Sequence, residues 1–114
     1  MSRMRANEGI FCEVFGINPR NHIIEFFLEM RNTDYGIGDV ARLLKMNKAT
    51  TYNIARVLIK QKILLPKRTI GKTQTYVLNK EDIRVKTLMK TFDNLLKNTV
   101  MQEGMPELEA PITV

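Results

Sequence analysis

The sequence contains no tryptophan, one histidine and one cysteine among its 114 residues. A lone cysteine, Cys12, cannot close a disulfide within the chain. The basic opening residues, Met1 to Arg5, lead into no apolar stretch that would read as a signal peptide. A reducing cytoplasm is therefore the expected compartment. One histidine and one cysteine cannot build a zinc site. The six glycines are scattered and form no phosphate-cradling loop. No apolar run approaches the roughly 18 residues that a membrane-crossing helix needs. No nucleophile–base set stands out. The expectation is a protein without enzymatic activity, metal, cofactor or membrane span.

Acidic residues are missing from one region. Between Val40 and Lys80 there are ten basic residues and no aspartate or glutamate. The rest of the chain holds eight basic and twelve acidic residues. A solvated surface usually mixes both signs. Unmixed positive charge concentrates a field that suits a polyanion such as nucleic acid, although it also fits a surface that only maintains solubility. The apolar share, 44%, is too high for a disordered chain, and the length fits one domain with a modest core.

Residues 1–17 read as an N-terminal arm. Within it, Ile10–Phe15 is a short apolar run whose period does not decide between helix and strand. Asn18 and Pro19 make a helix start, as cap and first-turn residue. The helix then runs to about Arg31. Its apolar residues, including Ile24 and Phe27, cover about 200° of the circumference, more than one core face needs. Asn32 to Gly36 reads as a loop. A second helix begins near Gly38–Asp39 and stops around Lys45–Met46. Asn47 caps a third, from Lys48 to about Lys62. Leu64 starts a strand, with Pro66 marking a sheet edge. Ile70–Gly71–Lys72 is a turn, and Thr73–Leu78 is the returning strand. Asn79 is the expected cap of a last helix over residues 80–102. The tail, 103–114, has two prolines and is expected to be disordered.

Two short helices joined by a turn of about three residues and followed by a hairpin define a helix-turn-helix with a wing. The segment Asp39–Leu58 resembles the winged helix-turn-helix transcriptional regulators. In that resemblance Ala41 is the small residue where two helices pack closely. Met46 plugs the turn, Asn47 caps the recognition helix, and Ile54 and Leu58 occupy buried positions. The resemblance spans roughly Pro19 to Leu78. Three residues depart from it: Lys45 and Lys62 stand where glycine is common, and Thr51 replaces an aliphatic residue. The implied fold is mainly α with a small β-hairpin wing, an α+β arrangement with the DNA-binding domain over 18–79.

The third helix carries the candidate interface. With Thr51 taken as the core direction, Ile54, Ala55, Leu58 and Lys62 fall within about 60° of it. Ala49, Asn53, Arg56 and Lys60 point the opposite way. An amide and a guanidinium are groups that major-groove readout uses. Tyr52 at the flank reaches a phosphate or a thymine methyl. Asn47, Lys48 and Thr50 lie at the helix N-terminus, where Lys48 suits a phosphate. Lys67, Arg68 and Lys72 on the wing are candidate phosphate contacts. An ordinary solvated helix face is the bland alternative, which the absence of any acid there disfavours. Cys12 and His22 read as structural residues.

The last helix has Val85, Leu88, Met89, Phe92, Leu95, Leu96, Thr99 and Val100 at alternating spacings of three and four, as in a coiled-coil seam. Packing on the chain's own domain is the ordinary reading. The surplus apolar face of the first helix, through Ile24 and Phe27, suggests instead that both meet a second copy. The resulting expectation is a dimeric regulator of double-stranded DNA with a C-terminal dimerisation helix. Alternatives are a plasmid partition or replication-associated DNA-binding protein, and a winged helix used for protein contacts. The residues identify no effector.

Overall fold

The structure, a computed structural model, describes residues 9–104. The elements are α1 (Ile10–Phe15), α2 (Pro19–Glu29), β1 (Tyr35–Gly36), α3 (Ile37–Leu44), α4 (Lys48–Lys60), β2 (Leu64–Ile70), β3 (Thr73–Leu78) and α5 (Ile83–Gly104). The strands form one antiparallel sheet in the order β1-β3-β2. The short β1 adds a third strand where the sequence suggests only a loop. Pro66 lies in the edge strand β2, as its missing N–H requires. The β2–β3 register shifts between Pro66 and Thr69. The hairpin turns at Gly71, whose φ of 62° is open to glycine without steric cost.

Local chemistry sets the helix ends. Asn18 Oδ1 accepts from Asn21 N, and Asn47 Oδ1 accepts from Thr50 N, both at 2.9 Å. The two C-termini of α3 and α4 share one design. Lys45 and Lys62 take left-handed φ values of 57° and 65°. After α3, the N–H groups of Lys45 and Met46 donate to Arg42 O and Ala41 O. After α4, those of Lys62 and Ile63 donate to Ile59 O and Leu58 O. This pairing satisfies the last carbonyls of each helix and is the usual reason for a glycine there. The two lysines that depart from the resemblance are therefore the two that bear left-handed strain.

The core is built around α2, whose Ile23, Phe27 and Leu28 are almost fully enclosed. Its surplus apolar surface is covered within the same chain, by α1 and α5 as well as by α3, α4 and β3. This corrects three expectations. Residues 10–15 are a helix docked through buried Phe11 and Cys12, so the arm does not extend to residue 17. Ile24 and Phe27 face the chain's own core. So do Val85 and Phe92 of α5, which are 0% and 2% exposed. Their spacing of three and four serves intramolecular packing, which produces the same periodicity as a dimer seam. Leu88, Met89 and Leu95 are half-buried, and Leu96 is exposed. The side chains of Thr99 and Val100, the residues 1–8 and the tail beyond residue 104 lie outside the described residues.

The last helix also begins later than expected. Asp82, not Asn79, caps it: Asp82 Oδ1 accepts from Arg84 N at 2.8 Å. Asn79 instead donates through Nδ2 to Lys62 O at 2.9 Å, bracing the end of α4. Hydrogen bonds from Arg84 hold the Asp82 carboxyl down at about 2.

A buried carboxylate secures α1. Glu25 of α2 is 4% exposed and accepts from Gly9 N and Phe11 N, both at 3.2 Å. It thereby pairs orphan donors at the start of α1. Glu29, one turn further, keeps an exposed surface, yet partial desolvation and the neighbouring Glu25 charge push its carboxyl up to about 6.

Candidate nucleic-acid interface

The interface is built on α4, and its local fold follows from side-chain types. Thr51 is fully buried and its hydroxyl donates to Asn47 O at 2.8 Å, so an inward hydroxyl is satisfied without a partner from outside the helix. Ala55 and Leu58 complete the inward face. Ala41 of α3 is buried, as expected where α3 and α4 pack closely. Gly38 marks another close approach, since a Cβ there would stand 3.1 Å from Tyr52 Oη.

The outward face carries Lys48, Ala49, Thr50, Tyr52, Asn53, Arg56, Val57 and Lys60, all exposed. Asn47 is exposed too, but its side-chain oxygen is engaged in capping. Arg56 Nη1 donates to Asn53 Oδ1 at 2.8 Å. Tyr52 stands between two open grooves of about 460 and 430 Å³. The first reaches Arg42 and Lys48; the second lies between α4 and the hairpin, reaching Arg56 and Lys72. Among the described residues, no acid forms an ion pair with Lys48, Arg56, Lys60, Lys67 or Lys72. Arg42 does have one, with Asp39 at 3.0 Å on the exposed flank of α3.

Arg68 differs from the other basic residues expected on the phosphates. Its Nε and Nη2 donate to the two oxygens of Asp34, at 2.8 and 3.2 Å. Thr75 Oγ1 also donates to Asp34. The Asp34 side chain is 9% exposed, and these bonds, led by that from Arg68, hold its carboxyl down at about 2. Arg68 N donates in turn to Thr75 Oγ1 at 3.3 Å, and Arg68 O lies 3.0 Å from the same hydroxyl oxygen. The network sits at the irregular stretch of the hairpin and ties it to the segment before β1. Arg68 is thus occupied as an anchor, while Lys67 and Lys72 remain exposed.

Asp34 is not legible as a functional residue in the sequence. It lies 34 positions from Arg68, in a stretch that reads as a loop. Only its place beside a β-forming Tyr35 hints at a role. Cys12 is 1% exposed, and His22 stands in the first turn of α2 with Nε2 enclosed. Among the described residues, no three His, Cys, Asp or Glu side chains gather into a metal-binding group. No described helix is long and apolar enough to cross a membrane.

The chain as a whole, with its helix pair α3–α4, the three-residue turn between them and the hairpin that follows, is similar in fold to solved structures. The structure of MepR, a transcription regulator of the Staphylococcus aureus multidrug efflux pump MepA, matches with a TM-score of 0.57 at 22% identity, over 89% of this chain and 78% of that one. The fold is a winged helix-turn-helix. The S. aureus MepR–DNA complex matches this winged helix with a TM-score of 0.56 at 18% identity, over 91% of this chain and 82% of that one. MepR in its DNA-binding conformation gives 0.55 at 21% identity, over 90% and 80%. No family model matches the sequence, and no curated protein matches it. In the winged-helix frame α3 and α4 are the helix-turn-helix, and β2–β3 is the wing.

Proposed function

We propose that this chain is a sequence-specific double-stranded DNA-binding protein that acts as a transcriptional regulator. In this reading α4 enters the major groove and the wing lies on phosphates. The observation that carries it is the outward face of α4. Its cations have no acidic partner among the described residues, and the groove beside it continues to Lys72 on the wing. Uncompensated cations on one face suit a polyanion, and the exposed amide and guanidinium suit base edges. That MepR, which shares this fold, has been solved bound to DNA supports the same use here.

Asn53 and Arg56 are assigned to base edges, with Tyr52, Ala49 and Thr50 beside them. Lys48, Lys60, Lys67 and Lys72 are assigned to phosphates. Asn47 contributes through the helix start that it caps. Arg68 supports the wing from behind.

The regulator is proposed to act as a homodimer. Val14, Phe15 and Ile17 at the end of α1 are each more than half exposed, and Leu96 on α5 is 42% exposed. The α5 helix is 22 residues, or about 33 Å, long. A two-fold dimer would set two α4 helices about 34 Å apart and select an inverted repeat. Selection from random duplexes tests the reading. Enrichment of an inverted repeat supports it. Binding without sequence preference, lost on modest addition of salt, contradicts it.

A further inference from the structure

Asn53 and Arg56 are three residues apart on α4 and are joined by the 2.8 Å bond from Arg56 Nη1 to Asn53 Oδ1. A guanidinium has five N–H donors and no acceptor. The amide must therefore turn its oxygen to Arg56 and its NH2 group away. Both residues are exposed, and no acid among the described residues pairs with Arg56. What the pair shows outward is the NH2 of Asn53 and the remaining N–H groups of Arg56. All of these are donors.

That matters because the usual asparagine contact is bidentate to adenine. The amide oxygen accepts from N6–H while the NH2 donates to N7. Here the oxygen is already bonded to a cation. An adenine N6–H approaching its second lone pair would meet guanidinium N–H groups, setting donor against donor. Guanine raises no such conflict, because its major-groove edge offers two acceptors, O6 and N7. Thymine offers one acceptor, O4, and cytosine a donor. By acceptor count, guanine is the match for both members of the pair.

We propose that Asn53 and Arg56 form a single all-donor reader that selects two neighbouring G·C pairs, with Arg56 acting as a specificity-determining residue that bars Asn53 from reading adenine. This rests on the placement of α4 in the major groove proposed above. Arg56 then has two roles. It contacts one guanine, and it sets the hydrogen-bonding character of the residue beside it.

The test is selection from random duplexes with the unmodified protein, Arg56→Ala and Asn53→Ala. Both positions are exposed, so the variants keep the fold. The unmodified protein should select two adjacent G·C pairs. Asn53→Ala should relax one of them most, which marks the position that Asn53 reads. Arg56→Ala should relax the other and turn the Asn53 position from G·C toward A·T by roughly tenfold, because the freed oxygen can now accept from N6. An A·T pair at the Asn53 position in the unmodified protein overturns the proposal. So does an Arg56→Ala variant that loses affinity while the base at the Asn53 position stays unchanged. An unmodified protein that shows no base preference at all overturns the major-groove placement, and the proposal with it.

Discussion

The two halves of the molecule use charge in opposite ways. In the half made by α1, α2 and α5, acids stand among the cations and several charged groups are consumed by the fold, although Lys86, Lys90 and Lys97 of α5 stay exposed. Glu25 is buried on the backbone of α1, Arg31 meets Asp93 at 2.9 Å, and Asp82 holds both the start of α5 and the Arg84 guanidinium. In the half made by α4 and the wing, only Arg68 is consumed, and Lys48, Arg56, Lys60, Lys67 and Lys72 have no acidic partner among the described residues. The first arrangement stabilises a chain that is otherwise too small for a generous core. The second leaves repulsion on the surface that folding does not need and that a polyanion relieves. Charge that is paired belongs to the architecture; charge left unpaired on one face is available to a partner.

The sharpest way to break this contrast is at Glu25. Glu25→Ala should cost about 2–3 kcal/mol in urea unfolding, because two backbone donors lose a charged acceptor in a buried place. It should leave the base preference of the folded protein unaltered, since α4 is untouched. The reverse holds on the other side. Asn53→Ala and Arg56→Ala should each cost about 1–3 kcal/mol in binding to a selected site while changing unfolding stability by less than about 0.5 kcal/mol. A binding titration and a urea melt of the same variants separate the two effects.

A smaller effect is expected at the helix ends. Lys62→Gly removes a side chain from a residue at φ 65° and should stabilise the fold by about 0.5–1 kcal/mol. The gain is partial because glycine also loosens the unfolded chain. Thermal melting would check it. A loss of stability would mean that the lysine stem packs usefully where it lies.

Acid and base should act on different carboxyl groups. Asp34 and Asp82 are held at about 2, so the folded state keeps their protons off better than the unfolded chain does. Their stabilisation is complete above the ordinary carboxylate range, near 3.8, and is lost as pH falls toward 2. Glu29 is raised from 4.5 to about 6, so its proton is held better in the folded state. Its contribution is complete below 4.5 and is lost as pH rises through 6. Denaturant midpoints measured from pH 2 to 8 should therefore rise from the acid end, with a small counteracting fall between 4.5 and 6 that Glu29→Gln abolishes.

Much of this is legible in the sequence, for physical reasons that differ along the chain. Asn18, Pro19 and Asn47 announce helix starts because capping is a local bond between near neighbours. The helix pair follows from caps, helical patterning and the family resemblance, the turn from Gly71 between two β-forming runs, and the outward face of α4 from helical periodicity. The strand β1 is not legible, since two residues carry no period and their partners Tyr76 and Thr75 lie about 40 positions away. The Asp34–Arg68 bond is hidden for the same reason. The apolar stripe of α5 reads as a dimer seam because a helix packing on its own chain and one packing on a copy have the same spacing. Only the positions of α1 and α2 distinguish them, and those are set by tertiary structure.

The proposed contact of the unpaired cations of α4 and the wing with DNA phosphates is tested most directly by the salt dependence of duplex binding. The slope of log affinity against log salt should become shallower by about 3.6 per chain when Lys48, Lys60, Lys67 and Lys72 are all changed to alanine, at about 0.9 for each phosphate that is no longer neutralised. A slope equal to that of the unmodified protein would contradict the account and assign those lysines to solvent.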